Sequence, residues 1–484
     1  MKVLEKRFVK TIARLMVFAF IIAGINLACT STALAKMGNG SAKNVIVMIS
    51  DGCGFNHIDA ASYYQYGKAG GQVYEHFPTA CSMSTYYLGG GYDPYLAWNN
   101  FDYVKSGATD SAAAATAMST GVKTKKGAIG VDENGGTLTH ILERAEEVGK
   151  STGVVTSVQL SEATPAGFVA HNPNRSDFAG IANEMINDSA IDVIMGCGNP
   201  DFYVAPASAP PGPPPDPYQY VGDIGTWNAL KAGTAGGDAN GDGIVDDDDH
   251  WNLIQTQSDF QSLATGPAPD RVIGVVAQVY NTLQQDRSGD DKAAPYVVPL
   301  TPDVPTLEEM TKAALNVLDN NTNGFFLMVE GGAIDLASHA GQSGRVIEEE
   351  IDFNHSVEAV IDWVQKNSNW GETLLIVTGD HETGYLLGPG SDPTWQPLVN
   401  NDKDMLPGME WYNWLAPFSP PPGFPPMPPM DPRTDHTNSL VPFFAKGDVA
   451  RFFKDSADEY DPVRGRYFDN TEIANVIFNK IWEE

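Results

Sequence analysis

Three short stretches of this 484-residue chain concentrate side chains that can do chemistry. "EGGAIDLASH" offers Glu330, Asp335 and His339, "GDHETG" offers Asp380 and His381, and "TDHTNS" offers His436. Asp51, in "SDGCG", follows the first strongly apolar run. The i, i+4 spacing of Asp335 and His339 puts both on one face of a helical turn. Singly, each has a bland reading, since a lone histidine is most often a satisfied core or surface residue and Asp-Gly is most often a turn. Together they propose three histidines, three aspartates and a glutamate, which in one place would be buried unpaired charge unless something neutralised it. A divalent metal answers that need: imidazole with carboxylate suits zinc, and oxygen-only ligands suit magnesium.

A further stretch, "GATDSAAAATAMSTG", sets Ser111 between an aspartate and an alanine run. The bland reading makes Ser111 an N-cap, with Asp110 favoured by the helix dipole. The functional reading is that the same helix start would hold a serine oxygen rigidly and favour an anion that reached it.

These residues need elements to position them. Valine- and isoleucine-rich runs at 44–50, 152–158, 190–196, 324–330, 373–379 and 440–447 read as strands, and 138–150, 306–319 and 345–367 carry helical periodicity. Continuous apolar strands alternating with helices predict an α/β fold, a doubly wound, mostly parallel sheet with helices on both faces. The acidic and histidine-bearing motifs follow strands directly, and ligands in such sheets bind outside the carboxyl ends of the strands. Two Pro-rich regions, 201–295 and 386–433, interrupt the pattern and read as surface insertions into one catalytic domain of residues 36–484.

Residues 1–35 have the layout of a secretory signal peptide: Lys2, Lys6, Arg7, Lys10 and Arg14, an apolar segment from Leu15 to Ile25 too short to span a bilayer, and "ALA" ending at Ala35. The expectation is an exported protein, periplasmic or extracellular. Cys29 raises lipoprotein anchoring, but the residues before it make release after Ala35 the preferred reading. No other segment is apolar enough to cross a membrane. The net charge of −31 argues against nucleic acid as a partner and suits a protein that holds cations. Cys53, Cys81 and Cys197 allow at most one internal disulfide.

The first insertion contains "DANGDGIVDDDD". Counted from Asp238, it offers oxygen ligands at positions 1, 3 and 5 (Asp238, Asn240, Asp242), a turn glycine at 6 (Gly243), a carbonyl at 7 (Ile244), and acids at 9 and 12 (Asp246, Asp249). This is calcium-loop spacing. It resembles the loop of dockerin modules more than a full EF-hand, because position 12 is Asp and not Glu. A solvated acidic loop would explain the charge but not the placement of Asn240 and Gly243, so a structural Ca2+ is expected.

Read in order, "VIVMISDGCG", "ATDSAAAATAMSTGVKTKKGAIGVD", "SEATPAGFVAHNPNR", "FLMVEGGAIDLASHA", "LLIVTGDHETG" and "DHTNSLVPFFAKG" resemble the alkaline phosphatase family over most of residues 40–200 and 300–450. The resemblance implies roles. Asp335, His339 and His436 would hold one Zn2+; Asp51, Asp380 and His381 would hold a second; Asp51 would also reach a Mg2+ bound by Thr164 and Glu330. Ser111 would be the nucleophile and Arg175 the clamp on two phosphate oxygens, steadied by Asp110. The implied activity is phosphomonoester hydrolysis of broad specificity through a phosphoserine, and since family members are often dimers, a homodimer is expected. Three positions depart from the best-known bacterial members: Leu336 stands where they carry a lysine, Thr383 where they carry a histidine behind the metal ligands, and Glu162 where they carry an aspartate near the magnesium. Two rival readings stay open, a phosphodiesterase on the same fold and a non-enzymatic calcium-dependent module built on the acidic loop.

Overall fold

The computed structural model describes residues 40–203, 216–239, 243–415 and 432–482, and the fold below is that of the unit Ala42–Glu484. Its centre is an 11-stranded sheet. From one edge the strands are Glu459–Asp461, Gly465–Asp469, Thr79–Ser84, Val441–Lys446, Thr373–Thr378, Asn44–Ser50, Phe325–Gly331, Ser151–Gln159, Val193–Cys197, Val272–Val275 and Asn252–Ile254. The seven from Thr373–Thr378 to Asn252–Ile254 pair in parallel, while Val441–Lys446 runs antiparallel to both its neighbours.

The central strands are buried along their whole length because both faces are covered. Successive side chains of a strand point to opposite faces. Accordingly Val45, Val47 and Ile49 pack with Phe326, Met328 and Ala112 on one side, and Ile46 and Met48 pack with Phe325, Leu327 and Met310 on the other. The doubly wound α/β architecture expected from the alternating pattern is the one observed.

Register decides where the functional side chains meet. Ile49 sits opposite both Glu330 and Thr378, and Thr156 is also opposite Glu330. Parallel strands in this register end at the same level. Asp51, Glu330 and Asp380 therefore come to one rim of the sheet from strands that lie side by side.

Helices meet their expected positions with local causes. Leu307–Leu318 starts in a capping box: the Thr306 hydroxyl accepts the Glu309 N–H at 3.1 Å and the Glu309 carboxylate accepts the Thr306 N–H at 3.0 Å. It packs against the 25-residue helix Ser343–Asn367 on one face of the sheet. The segment 138–150 forms a shorter helix, Ile141–Glu147.

The two Pro-rich regions differ from the expectation of surface insertions. Strands Asn252–Ile254 and Val272–Val275 extend the main sheet, and Trp227, Trp251 and Phe260 are fully buried. Proline composition dominates 204–215, outside the described residues, and masked the sheet-forming text behind it. Arg271 fastens this edge, lying 3.9 Å from the Trp251 ring and donating to the carbonyls of Ile191, Asp249 and Ser189. In the second region Leu386–Leu387 pairs with Glu410–Trp411, and Trp411 is buried; residues 416–431 lie outside the description. The signal-like residues 1–35, including Cys29, also lie outside it. Among the described residues no helix is long and apolar enough to cross a membrane, and Cys53, Cys81 and Cys197 are free thiols.

If 216–295 is part of the core, Trp251→Ala should cost about 3–5 kcal/mol, the usual range for removing a buried tryptophan. Urea or guanidinium unfolding of the two proteins measures it; a change within about 0.5 kcal/mol would mark the segment as a surface appendage.

Candidate active site

Ser111 is not the helix cap. Asp110 is, its Oδ1 accepting the Ala113 N–H at 3.1 Å, and Ser111 is the first residue of the helix Ser111–Thr120. This division of labour leaves the serine hydroxyl uncommitted to the backbone. Its Oγ lies 3.3 Å from His381 Nε2. The other oxygen of Asp110 accepts from Arg175 Nη1 at 3.2 Å and from the Gly127 N–H at 2.9 Å. One carboxylate thus ties the helix start, a loop and a guanidinium together. Glu162, 3.5 Å from Arg175 Nη2, holds the far side of that guanidinium.

Two groups of ligating atoms lie beside the serine. Asp51, Asp380 and His381 form one: His381 Nε2 is 3.5 Å from Asp51 Oδ1 and 3.2 Å from Asp380 Oδ2. Asp335 and His436 form the other, with His381 shared between the two groups and His339 against both Asp335 and His436. Asp335 Oδ2 is 3.3 Å from His339 Nε2, Asp335 Oδ1 is 3.5 Å from His436 Nε2, and the two histidine Nε2 atoms are 2.9 Å apart. The helix Ala333–His339 supplies Asp335 and His339 from one face, as the spacing predicts. His436 comes from a two-residue strand pairing with Glu382–Thr383, which brings a residue far along the chain beside His381, with ring centroids 3.7 Å apart.

Each of the two outer histidines has its Nδ1 against a backbone carbonyl, His339 against Thr434 at 2.6 Å and His436 against Thr109 at 2.9 Å. An Nδ1–H held this way leaves Nε2 as the lone-pair donor, the arrangement a metal ligand requires. Glu330 completes the rim, accepting from the Thr156 hydroxyl; Thr164 is buried beside it and lines the same cleft. The cleft, about 220 Å³, is lined among others by Asp51, Ser111, Arg175, Glu330, Asp335 and His436.

The electrostatics say what the cleft lacks. Burial first, then the charges of Asp380, Asp335 and Glu330, pushes the Asp51 carboxyl well above its ordinary value. Burial likewise pushes Asp380 up to about 6 and Glu330 to about 7. Burial also opposes ionisation of Asp335, yet His339 and His436 hold it well below the usual carboxylate range. His436 in turn is raised to about 9 against its burial by Asp335. Burial and the charge of His436 push His381 down, keeping its imidazole neutral. Asp51 Oδ1 and Asp380 Oδ2, both buried, find no hydrogen-bond partner. Carboxylates crowded in this way retain protons unless a cation takes their place. The donor set and the orphaned oxygens therefore fit divalent metal.

Sequence reasoning missed several groups at the site. The carbonyls of Thr109 and Thr434, which orient two histidines, carry no side-chain signal. Arg433, at the mouth of the cleft, precedes the His436 motif without standing out in it. Glu162, which the resemblance puts near a magnesium, lines the same cleft as Thr164 and Glu330 and also touches Arg175. Thr383 donates to Asp335 Oδ1.

The acidic loop is described in part. Asp238 Oδ2 accepts the Gly243 N–H at 2.8 Å, and Gly243 has a φ of +84°, the left-handed turn expected at that position. Asp249 is buried and accepts the N–H groups of Ala239 and Asp246. Ile244 is exposed. Asn240 and Asp242 lie outside the described residues.

A serine at a helix start, flanked by a guanidinium and two buried ligand sets at the rim of a parallel sheet, defines an α/β enzyme built for phosphoryl groups. The alkaline phosphatase family model matches residues 42–413. Alkaline phosphatase 3 of Bacillus subtilis is 32% identical over 370 residues, covering 74% of this chain and 66% of that protein. The alkaline phosphatase of Escherichia coli K12 is 33% identical over 401 residues, 76% of each. Among solved structures, the alkaline phosphatase of the Antarctic bacterium TAB5 superposes with a TM-score of 0.58 at 23% identity, covering 92% of this chain and 100% of that one. A variant of that enzyme is solved with Mg bound in its M3 site. The chain belongs to the alkaline phosphatase family. His436 lies beyond the span of the family model, and the structure sets it 3.5 Å from Asp335 Oδ1.

The raised carboxyls fix a sign for the metal-free protein. Folded Asp380 and Glu330 keep protons up to about 6 and about 7, whereas unfolded carboxyls release theirs near ~4. The folded state then binds more protons between these limits, so stability should fall as pH rises from about 4 through about 7. Urea unfolding with chelator across that range should show the decline, Asp380→Asn should flatten it, and divalent metal at 100 times its Kd should add about 2.7 kcal/mol near neutrality. A rise with pH in the chelated protein would contradict the reading.

Proposed function

We propose that this chain is an exported, metal-dependent phosphomonoesterase of broad specificity that acts through a phosphoserine at Ser111, at a site for two Zn2+ and one Mg2+. The observation that carries the reading is the convergence on Ser111 Oγ of His381 at 3.3 Å and, through Asp110, of Arg175. Asp335, His339 and His436 would hold one zinc, Asp51, Asp380 and His381 the other, and Thr164 and Glu330 the magnesium beside Asp51. Cations bound there supply Lewis acidity, which favours the ionised serine and offsets charge developing on the leaving oxygen.

The chain's own groups do the positioning. Arg175 presents two N–H donors in the plane that matches two phosphate oxygens, and Asp110 and Glu162 keep it from rotating away. A phosphate so held sits with phosphorus in front of Ser111 Oγ, at the positive end of the helix Ser111–Thr120. Attack by Oγ forms the serine–phosphorus bond as the bond to the departing alkoxide or aryl oxide breaks. Water then attacks the phosphoserine from the vacated side, releasing inorganic phosphate and restoring the hydroxyl. A dianionic monoester presents one more charged oxygen to Arg175 than a diester does, which supports a monoester as substrate.

Ser111→Ala should lower kcat by at least about 10³-fold on an aryl phosphate while leaving metal content unchanged. Release of phosphate by both proteins, with zinc and magnesium removed and restored, measures it. Retained turnover in the variant, or an inert metal-loaded wild type that hydrolyses a diester, would overturn the reading.

Leu336 lines the cleft next to Asp335, an apolar side chain where a cation would meet phosphate. Product phosphate should accordingly bind weakly, and Leu336→Lys should lower the inhibition constant for inorganic phosphate by about tenfold, one added charge contact being worth ~1.5 kcal/mol. An unchanged constant would sink this assignment.

We further propose a structural Ca2+ in the loop 238–249, supported by the Asp238–Gly243 turn and the inward carboxylate of Asp249. Calcium should raise the melting temperature of the zinc- and magnesium-loaded enzyme, and Asp238→Ala should remove that increment with kcat little changed. Loss of turnover on removing calcium alone, with Ser111→Ala harmless, would instead favour a calcium-dependent binding module.

A further inference from the structure

A second cluster of metal-type ligands lies apart from the strand-end site. His140 stands at the start of the helix Ile141–Glu147, Glu143 is on its first turn, and His171 precedes the loop that carries Arg175. One ligand atom from each falls within 4.8 Å of the others. His140 is completely buried, and neither of its ring nitrogens has a hydrogen-bond partner. The ring lies 4.4 Å from that of His171 and its Nδ1 3.4 Å from Glu143 Oε2, contacts that leave a buried imidazole short of the hydrogen bonds it needs.

The distances are those of a coordination shell. His140 Nδ1 is 3.4 Å and His171 Nε2 is 3.8 Å from the same atom, Glu143 Oε2. Ligands at 2.0–2.1 Å from a tetrahedral zinc stand about 3.3 Å apart, so small side-chain rotations close the set around one ion. The other nitrogen of His171 already has the outer partner that zinc-bound histidines require: Nδ1 lies 3.0 Å from Glu184 Oε1, in the helix Phe178–Asn187. His171 Nε2 also lies 2.9 Å from the Leu138 carbonyl, so a protonated imidazole bridging Glu184 and Leu138 is the metal-free alternative. That alternative satisfies His171 and leaves His140 unexplained.

We propose that His140 Nδ1, His171 Nε2 and the Glu143 carboxylate form a structural zinc site, with Glu184 orienting His171 and water, admitted by the partly exposed Glu143, at the fourth position. Two imidazoles and one carboxylate are a donor set that suits Zn2+. The site joins the helix Ile141–Glu147 to the segment His171–Arg175, whose backbone is otherwise held by the Ile129–Asn172 bridge and the Arg175 N–H to Gly127 carbonyl bond at 2.8 Å. A zinc here would pin the root of that segment from outside the cleft.

The test is independent of turnover. Crystals of the full chain grown with zinc, with data above and below the zinc absorption edge, should show an anomalous peak within bonding distance of His140, Glu143 and His171, besides any at the strand-end ligands. Peaks at the strand-end ligands with none here would overturn the proposal. In solution, wild type dialysed against low micromolar free zinc should retain one more zinc per chain than His140→Gln. Glu143→Gln, which keeps an acceptor for the His140 N–H and so preserves the helix start, should lose the same equivalent. Equal zinc in wild type and the folded Glu143→Gln protein would overturn the assignment.

Discussion

The structure is organised around a charge problem. Four carboxyls, those of Asp51, Glu330, Asp335 and Asp380, share a buried rim with histidines and the Arg175 guanidinium to oppose them. No sheet would collect such groups for stability, because each desolvated charge costs several kcal/mol unless paired. The raised carboxyls of Asp51, Asp380 and Glu330 and the paired state of Asp335 with His436 are two ways the metal-free protein limits that cost. A cation resolves both at once, and the fold reads as a frame that keeps the unfavourable arrangement from relaxing.

What makes the frame stiff is the parallel register. Neighbouring strands end level with one another, so Asp51, Glu330 and Asp380 cannot separate without breaking ladders buried on both faces. The serine is held by different means. Asp110 takes the capping duty and the guanidinium contact, one oxygen for each, which leaves Ser111 with no structural obligation beyond its backbone. Separation of the positioning group from the serine leaves the hydroxyl free for the nucleophile role proposed for it.

Much of this was legible in the chain itself. Apolar runs followed by Asp or His motifs, and the i, i+4 pair Asp335 and His339, are local signals that survive without any tertiary context. Other features had no such signal. The strands Asn252–Ile254 and Val272–Val275 are short and sit in polar text, and only burial against Trp227 and Phe260 makes them core. The roles of Thr109 and Thr434 are exercised by backbone carbonyls, which every residue has. Likewise, Ser111 and Asp110 are both good caps by type, and which of them caps was decided by a one-residue difference in where the helix begins.

The two-residue strand at His436–Thr437 also has a temporal meaning. The set Asp51, Asp380 and His381 is in hand by residue 381, but the set around Asp335 is incomplete until His436 has joined it. Until the segment carrying His436 has docked against Glu382–Thr383, Asp335 lacks one of the imidazoles that hold its charge and Ser111 faces an unfinished cleft. Loop closure over so many residues is slow relative to local folding. A chain emerging from synthesis would therefore stay chemically silent until its end was in place, and competence would arrive late and all at once, as a property of the finished topology.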